Sequence, residues 1–290
     1  MAAPIRVTVF GENYHEQHDE SVQKLYPNGL HGAIAEGLNE LLGEGVEVRT
    51  VVMDEPEHGL TEEVLANTDV LTWWGHWIHQ HVDDAVVDRV HQAVLDGMGL
   101  IVLHSGHHSK IFRKLMGTTC NLRWRGGENR ELIWTVNPTH PIAQGVPSPM
   151  ILPSHEMYGE FFDIPTPDDL IFVSSFDGGE VFRGGCTFRR GHGKIFYFSP
   201  GDQEYPIYFD PDIRRVIANG VQWVHSERAE RGAPPVIWKR IKGYGPDRDT
   251  AADLAEAVAR AEEYGMEIIK TTANQVTAKG AGGFTTTIEV

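Results

Sequence analysis

The sequence predicts an α/β protein with a mainly parallel central sheet, followed by a C-terminal extension of different character. Two observations carry that reading. Short apolar strands alternate with amphipathic helices through the first half of the chain, and one strand, Leu100-Ile101-Val102-Leu103, is apolar on both faces. Alternation at this spacing implies parallel pairing through right-handed crossovers, with helices covering both sheet faces. A third observation concerns chemistry. Fifteen of the 290 residues are histidine, seven of them between His76 and His108, and many sit where predicted strands end.

Each element follows from local pattern. Ile5 to Phe10 reads as a first strand, breaking at Gly11-Glu12-Asn13-Tyr14-His15. Leu30, Ile34, Leu38, Leu41 and Leu42 then share one helical face that ends near Gly43 to Gly45. Val46 to Met53 is a second strand, Thr61-Glu62-Glu63 opens a short helix, and Val70 to Trp74 is a third strand ending at Gly75-His76. Val82 to Leu95 is an amphipathic helix with Val86, Val87, Val90 and Val94 inward. The strand Leu100 to Leu103 leads through His104-Ser105-Gly106 into a helix from Lys110 to Met116. The second half is richer in strands: Leu132 to Val136, the Pro-bounded Met150 to Pro153, Leu170 to Ser174, Val181 to Phe188 and Lys194 to Phe198. A helix from about Pro211 to His225 closes the domain, expected over residues 4–225. In 226–290, Arg228 to Pro235 suggests a linker, Asp249-Thr250 a helix cap with a helix running to Glu263, and Phe284 to Val290 a last strand. This extension carries no catalytic pattern and is expected to serve docking or assembly into a homo-oligomer.

Composition narrows the function. Lys and Arg number 25 against 41 Asp and Glu, a formal net charge of −16, which repels phosphate backbones and anionic lipid and argues against nucleic-acid or membrane partners. No apolar run approaches the length of a bilayer span, and the N-terminus lacks the shape of a signal peptide. The two cysteines, Cys120 and Cys186, form no C-x-x-C pair, so a disulfide scaffold or thiolate zinc module is excluded and a cytoplasmic setting is expected.

In an open parallel sheet, ligands bind beyond the carboxyl ends of the strands, near the point where strand order reverses. That rule gathers Asn13, His15 and Glu16 after the first strand, His76 and Trp77 after the third, and His104 and His107 after the fourth. Glu156, Tyr158 and Asp202 join them from the second half. Neutral imidazoles with a carboxylate make a favourable divalent-metal shell. His15, His76, His104 and Asp202 are the candidate ligands, with Glu156 an alternative to Asp202 in completing the shell. Zinc is the expected ion, with manganese as the alternative. His107, Glu16 and Glu156 are the candidates for proton transfer. Asn13, Trp77 and Tyr158 are candidate substrate contacts. Trp73 and Trp74 suit either a sugar platform or the core.

Other chemistries fit less well. Gly99 to Gly106 has the strand–turn–helix setting of a nucleophile elbow, but Leu103 stands where the first glycine of G-x-S-x-G belongs. No G-x-G-x-x-G follows the first strand, and no Walker phosphate loop occurs.

The segments D-V-L-T-W-W-G-H from Asp69, G-L-I-V-L-H-S-G-H from Gly99, Met116-Gly117-Thr118, Asn137-Pro138-Thr139-His140-Pro141-Ile142, His155 to Glu160 and Gly191 to Tyr197 together resemble the ThuA-like, or trehalose-utilization, family over roughly residues 4–225. The resemblance implies a flavodoxin-like three-layer sandwich of the class I glutamine amidotransferase type. It also implies a sugar-catabolic setting beside oxidoreductases that make 3-keto sugars. Amidotransferase activity is not expected, because His104-Ser105 occupies the turn where those enzymes carry their cysteine nucleophile. After the late strand such sequences commonly read G-H, whereas this chain has Gly201-Asp202. The expected function is therefore metal-assisted isomerisation or elimination next to the carbonyl of a 3-keto sugar or disaccharide, with a keto-glycoside hydrolase or a non-catalytic sugar-binding module as alternatives.

Overall fold

A computed structural model describes residues 3–226, 254–280 and 285–290. The described residues group into two compact units, one within residues 1–233 and one within 234–290.

The main unit is built on a nine-stranded sheet. Its parallel half comprises β1 (Ile5–Gly11), β2 (Val46–Val52), β3 (Val70–Trp74), β4 (Gly99–Leu103) and β9 (Gly193–Phe198), in the order β2-β1-β3-β4-β9. An antiparallel meander extends it through β8 (Val181–Arg190), β7 (Asp169–Phe176), β5 (Arg123–Thr135) and β6 (Met150–Gly159). Helices lie on both faces. Leu30, Ile34 and Leu38 of α3 (Gly29–Leu42) and Ile213, Val216 and Val221 of α7 (Pro211–Val224) cover one face. Leu65 of α4 (Glu62–Ala66), the four valines of α5 (Asp84–Leu95) and Ile111 and Phe112 of α6 (Lys110–Met116) cover the other. Helix starts are set by short polar caps: Asp210 accepts from Asp212 N and Ile213 N, and Ser109 from Phe112 N. Two short helices, α1 (His15–His18) and α2 (Glu20–Leu25), fill the β1–α3 connection.

Register positions the site. Gly11 pairs with Trp74, Trp74 with Leu103, and Leu103 with Phe198, so four parallel strands end side by side. Strand order reverses at β1, which lies between β2 and β3. Adjacent strand residues point to opposite faces, and Trp73 and Trp74 obey this. Both are buried in the core, Trp73 stacked on Phe10 at 4.2 Å between ring centres and Trp74 packed on the other face.

Two strands are longer than their apolar cores suggest. Strand β5 begins at Arg123 and β6 continues to Gly159, because register shifts around Asn129 let a polar stretch keep its ladder. Glu156 and Tyr158 consequently lie within a strand, two residues apart on one face.

In the second unit, α8 (Leu254–Glu263) packs on an antiparallel sheet of β10 (Glu267–Thr272), β11 (Gln275–Lys279) and β12 (Thr285–Glu289). Ala257, Ala261, Val276, Ala278 and Ile288 form its small core. Between the expected helix and the expected last strand, which is β12, the chain forms the β10–β11 hairpin. The expected linker at Arg228 to Pro235 and the cap at Asp249-Thr250 lie outside the described residues.

A candidate metal and sugar site at the strand ends

The turns after β3, β4 and β9 leave the aligned strand ends and, with residues at the start of β5 and in β6, line one cavity of about 490 Å³, within the size range of small-molecule sites. The turn after β4 sets a buried histidine against three wall residues, Tyr158, Glu156 and Asp202. His104 adopts the left-handed backbone conformation, φ 48°, which costs a side-chain-bearing residue energy and recurs at functional sites. Its ring is fully buried. Nδ1 donates to Ser199 O at 2.8 Å, which leaves Nε2 facing Tyr158 Oη at 3.2 Å, Glu156 Oε2 at 3.3 Å and Asp202 Oδ2 at 3.8 Å. The Tyr158 ring stacks on it, planes 5° apart.

Electrostatics follow from this packing. Burial alone would lower the His104 pKa, but the hydrogen bond and charge of Glu156, together with Asp202, raise it above the ordinary histidine value. Burial works against ionisation of Glu156, yet His104 and then His76 hold its carboxyl below the usual range. Burial drives the Tyr158 phenol well above 10, so it keeps its proton.

The ligand atoms of His104, Glu156 and Asp202 all lie within 4.8 Å of one another, and all three side chains are buried. Asp202 uses Oδ1 to accept from Glu204 N, so Oδ2 is the oxygen turned to His104. One imidazole nitrogen with its other nitrogen fixed by a carbonyl, plus two carboxylates, matches the donor chemistry of a divalent-cation site. The residues present fit a zinc or manganese ion.

The remaining predicted residues distribute around this cluster. His15 Nε2 and His76 Nδ1 lie 2.9 Å apart, and the His76 ring centre is 6.2 Å from that of His104. The two histidines pair with each other beside the cluster. Burial, reinforced by His104 and His15, lowers His76 to about 4. His107 lines the cavity, donates Nδ1 to Cys120 O at 2.7 Å and is pushed by burial to about 3, so its imidazole is neutral. Trp77 lines the cavity and is 62% exposed. Asn13 adopts φ 57° in the turn after β1 and is not among the wall residues. Nor is Glu16, whose Oε1 accepts from Leu30 N in the first turn of α3. The structure does not bring these two into the cluster.

Several residues were not singled out from sequence. Trp124 faces the cavity opposite the histidine turns and is 67% exposed. Its setting, Arg123-Trp124-Arg125-Gly126-Gly127, reads as a polar loop, and only the exposed aromatic hints at a role. In sequence Glu12 reads only as a strand-end residue, yet its two oxygens accept from His76 N and Trp77 N, both at 2.8 Å, and shape the β3 turn. His79, His108, Asn121 and Gln203 complete much of the wall, which contains no Lys or Arg among the described residues.

An α/β sandwich with a buried histidine–carboxylate cluster at its parallel strand ends defines the class. The family model described as trehalose utilisation (ThuA) matches residues 6–224, and the chain belongs to that family, whose description gives it a sugar-related role. Solved structures share the fold at low identity. A ThuA-like protein of Parabacteroides merdae superposes with a TM-score of 0.57 at 13% identity, over 76% of this chain and 90% of that one. A ThuA-like protein of Bacteroides uniformis gives 0.54 at 16%, over 77% and 93%. A cytoplasmic protein of Salmonella typhimurium gives 0.51 at 10%, over 77% and 100%. No curated protein matches in sequence. Among the described residues, no helix is long and apolar enough to cross a membrane.

Proposed function

We propose that this protein is a sugar-catabolic enzyme of the cytoplasm that isomerises, or eliminates from, a 3-keto sugar or disaccharide beside its carbonyl, assisted by a divalent cation at His104, Glu156 and Asp202. One observation carries the reading. The three ligand atoms lie within 4.8 Å of one another, and Glu156 and Asp202 line a 490 Å³ cavity that also exposes Trp77 and Trp124. Family membership supports a sugar as the substrate class.

A bound zinc or manganese ion would polarise a ketone and its neighbouring hydroxyl, easing loss of the α-proton. The chain's own groups do the rest. Trp77 and Trp124 present aromatic faces to the apolar face of a pyranose ring. Tyr158 keeps its proton and donates a hydrogen bond at the cavity floor. His107 donates through Nδ1, so its Nε2 retains a lone pair that can accept a hydrogen bond from a sugar hydroxyl; burial holds it at about 3, too weak a base to take the α-proton. Against the effect of burial, His104 holds the Glu156 carboxyl below the usual range, and this carboxylate is the candidate base. The wall lacks cationic side chains among the described residues, which suits an uncharged sugar.

The test is product analysis on a 3-keto disaccharide with metal-loaded and chelator-treated protein. An isomeric or unsaturated sugar formed only by the loaded protein supports the proposal. Free monosaccharides would instead make it a hydrolase, and saturable binding without turnover a binding module.

A further inference from the structure

We propose that His155 and Glu131 form a positioning pair that aims Asp202 at His104, an inference resting on the metal-site reading above. His155 lies one residue before Glu156 but is not one of the three clustered ligands. Its ring is 1% exposed, and Nε2 accepts from two consecutive backbone amides, Gly201 N at 3.1 Å and Asp202 N at 3.3 Å. A ring nitrogen that accepts carries a lone pair, so the ring proton resides on Nδ1. Nδ1 lies 2.8 Å from Glu131 Oε2, a close contact that falls outside hydrogen-bond geometry, and Glu131 is completely buried.

A carboxylate in the core is costly to keep unless a partner uses its charge. Glu131 sits in β5 between β7 and β6, opposite Phe176 and Leu152. Its placement against Nδ1 selects the one tautomer whose Nε2 can accept. The same logic orients metal-ligating histidines through an outer carboxylate; here the imidazole grips the backbone of the next ligand.

The gripped turn has little freedom elsewhere. Gly201 has φ 149°, and a Cβ there would overlap Tyr208 Oη and come within 3.0 Å of His104 Cβ. Its carbonyl accepts from Trp74 Nε1 at 2.9 Å. With both amides, the Gly201 carbonyl and Asp202 Oδ1 engaged, Asp202 Oδ2 is left directed at His104 Nε2. His155 and Glu131 touch neither substrate nor reacting atoms in this scheme.

Glu131→Gln, His155→Gln and the double variant test it, each first shown to be folded by circular dichroism. In the wild-type protein, nitrogen-15 spectra should show His155 as the Nδ1-protonated tautomer. Glu131→Gln should mix the tautomers, speed hydrogen exchange at the Gly201 and Asp202 amides about tenfold or more, and weaken Zn²⁺ affinity about 10–100-fold. In His155→Gln the amide oxygen can accept from both backbone groups without help. Adding Glu131→Gln there should change Zn²⁺ affinity and exchange less than twofold, the coupling expected of residues acting in series. Unchanged tautomer and exchange in Glu131→Gln, or equal losses in both backgrounds, would overturn the inference. If the wild-type protein binds no Zn²⁺ or Mn²⁺, the metal reading fails, while tautomer and exchange still decide whether the pair holds the turn.

Discussion

His104 Nε2 stands 3.3 Å from Glu156 Oε2, the approach of a histidine at the end of a parallel strand to a carboxylate from an edge strand of the same sheet. The pair joins the parallel and antiparallel halves at one point. It also tunes the site, because each group shifts the other toward its charged form against the effect of burial.

Trp77 and Trp124 are large, exposed aromatics on the cavity wall. A ring stacked on a sugar contributes about 0.5–1.5 kcal/mol. Replacing either by alanine is expected to raise KM about 3–10-fold with kcat nearly unchanged, and to leave Zn²⁺ affinity intact. Steady-state kinetics with parallel metal titration checks this. A fall in kcat alone would place the rings in the chemistry rather than in binding.

The turn at Gly201 should tolerate no side chain. Gly201→Ala adds a Cβ against Tyr208 Oη in a backbone region that L residues avoid, a cost of about 1–3 kcal/mol. Among the described residues the Tyr208 hydroxyl is buried without a hydrogen-bond partner, so Tyr208→Phe removes the nearest clash at little cost and leaves the ring Cζ at 2.8 Å from the new Cβ. Chemical denaturation should show Gly201→Ala destabilised and the double variant partly restored. Additive losses would mean that the hydroxyl is not the obstacle.

Acid stability should report the buried neutral imidazoles. Burial holds His107 at about 3 and His79 at about 4, against roughly 6.5 for free histidine. Below that value the unfolded chain takes up protons that the folded chain refuses. Stability therefore falls as pH drops from about 6.5 toward 4 and is unaffected by these groups above it. Each group contributes on the order of a few kcal/mol to that fall. His107→Gln keeps a donor for Cys120 O and removes the titration, so its Tm should decline less steeply over that window. Parallel Tm curves for the two proteins would refute the assignment.

What sequence could reveal depended on whether function and local pattern coincide. The parallel half was legible because its strands are apolar on both faces, and the strand-end rule located His104, His76 and Asp202 without any view of the sheet. Glu156 was visible as a carboxylate but not as a strand residue, since Ser154 to Glu160 is too polar to read as part of a ladder. Glu131 left no signal: a single Glu before Leu132-Ile133 looks like the solvent-facing member of an alternating strand, and only the fold closes β7 and β6 around it. Glu16 shows the reverse. Its sequence position beside a strand end suggested the rim, but one turn of α1 carries its carboxylate to the amide of Leu30.

Metal dependence gives the most direct check on the whole site. His104 is the only imidazole whose ring nitrogen lies with two carboxylate oxygens in a cluster within 4.8 Å, among the described residues. His104→Ala removes that nitrogen and leaves Glu156 and Asp202 as two buried, mutually repelling carboxylates. Zn²⁺ or Mn²⁺ affinity is expected to fall by at least about 100-fold, since even outer groups of such sites are worth 10–100-fold. Turnover should fall with it. His91→Ala, on the outer side of α5, should change neither by more than twofold. The wild-type protein should also lose metal as pH falls, because a coordinating imidazole must be unprotonated, and the loss should begin above the ordinary histidine range, since Glu156 and Asp202 outweigh burial and raise the His104 pKa. Elemental analysis after dialysis, run beside the activity assay, reads both quantities on the same sample. Full metal occupancy and near-normal turnover in His104→Ala would remove this cluster from the mechanism.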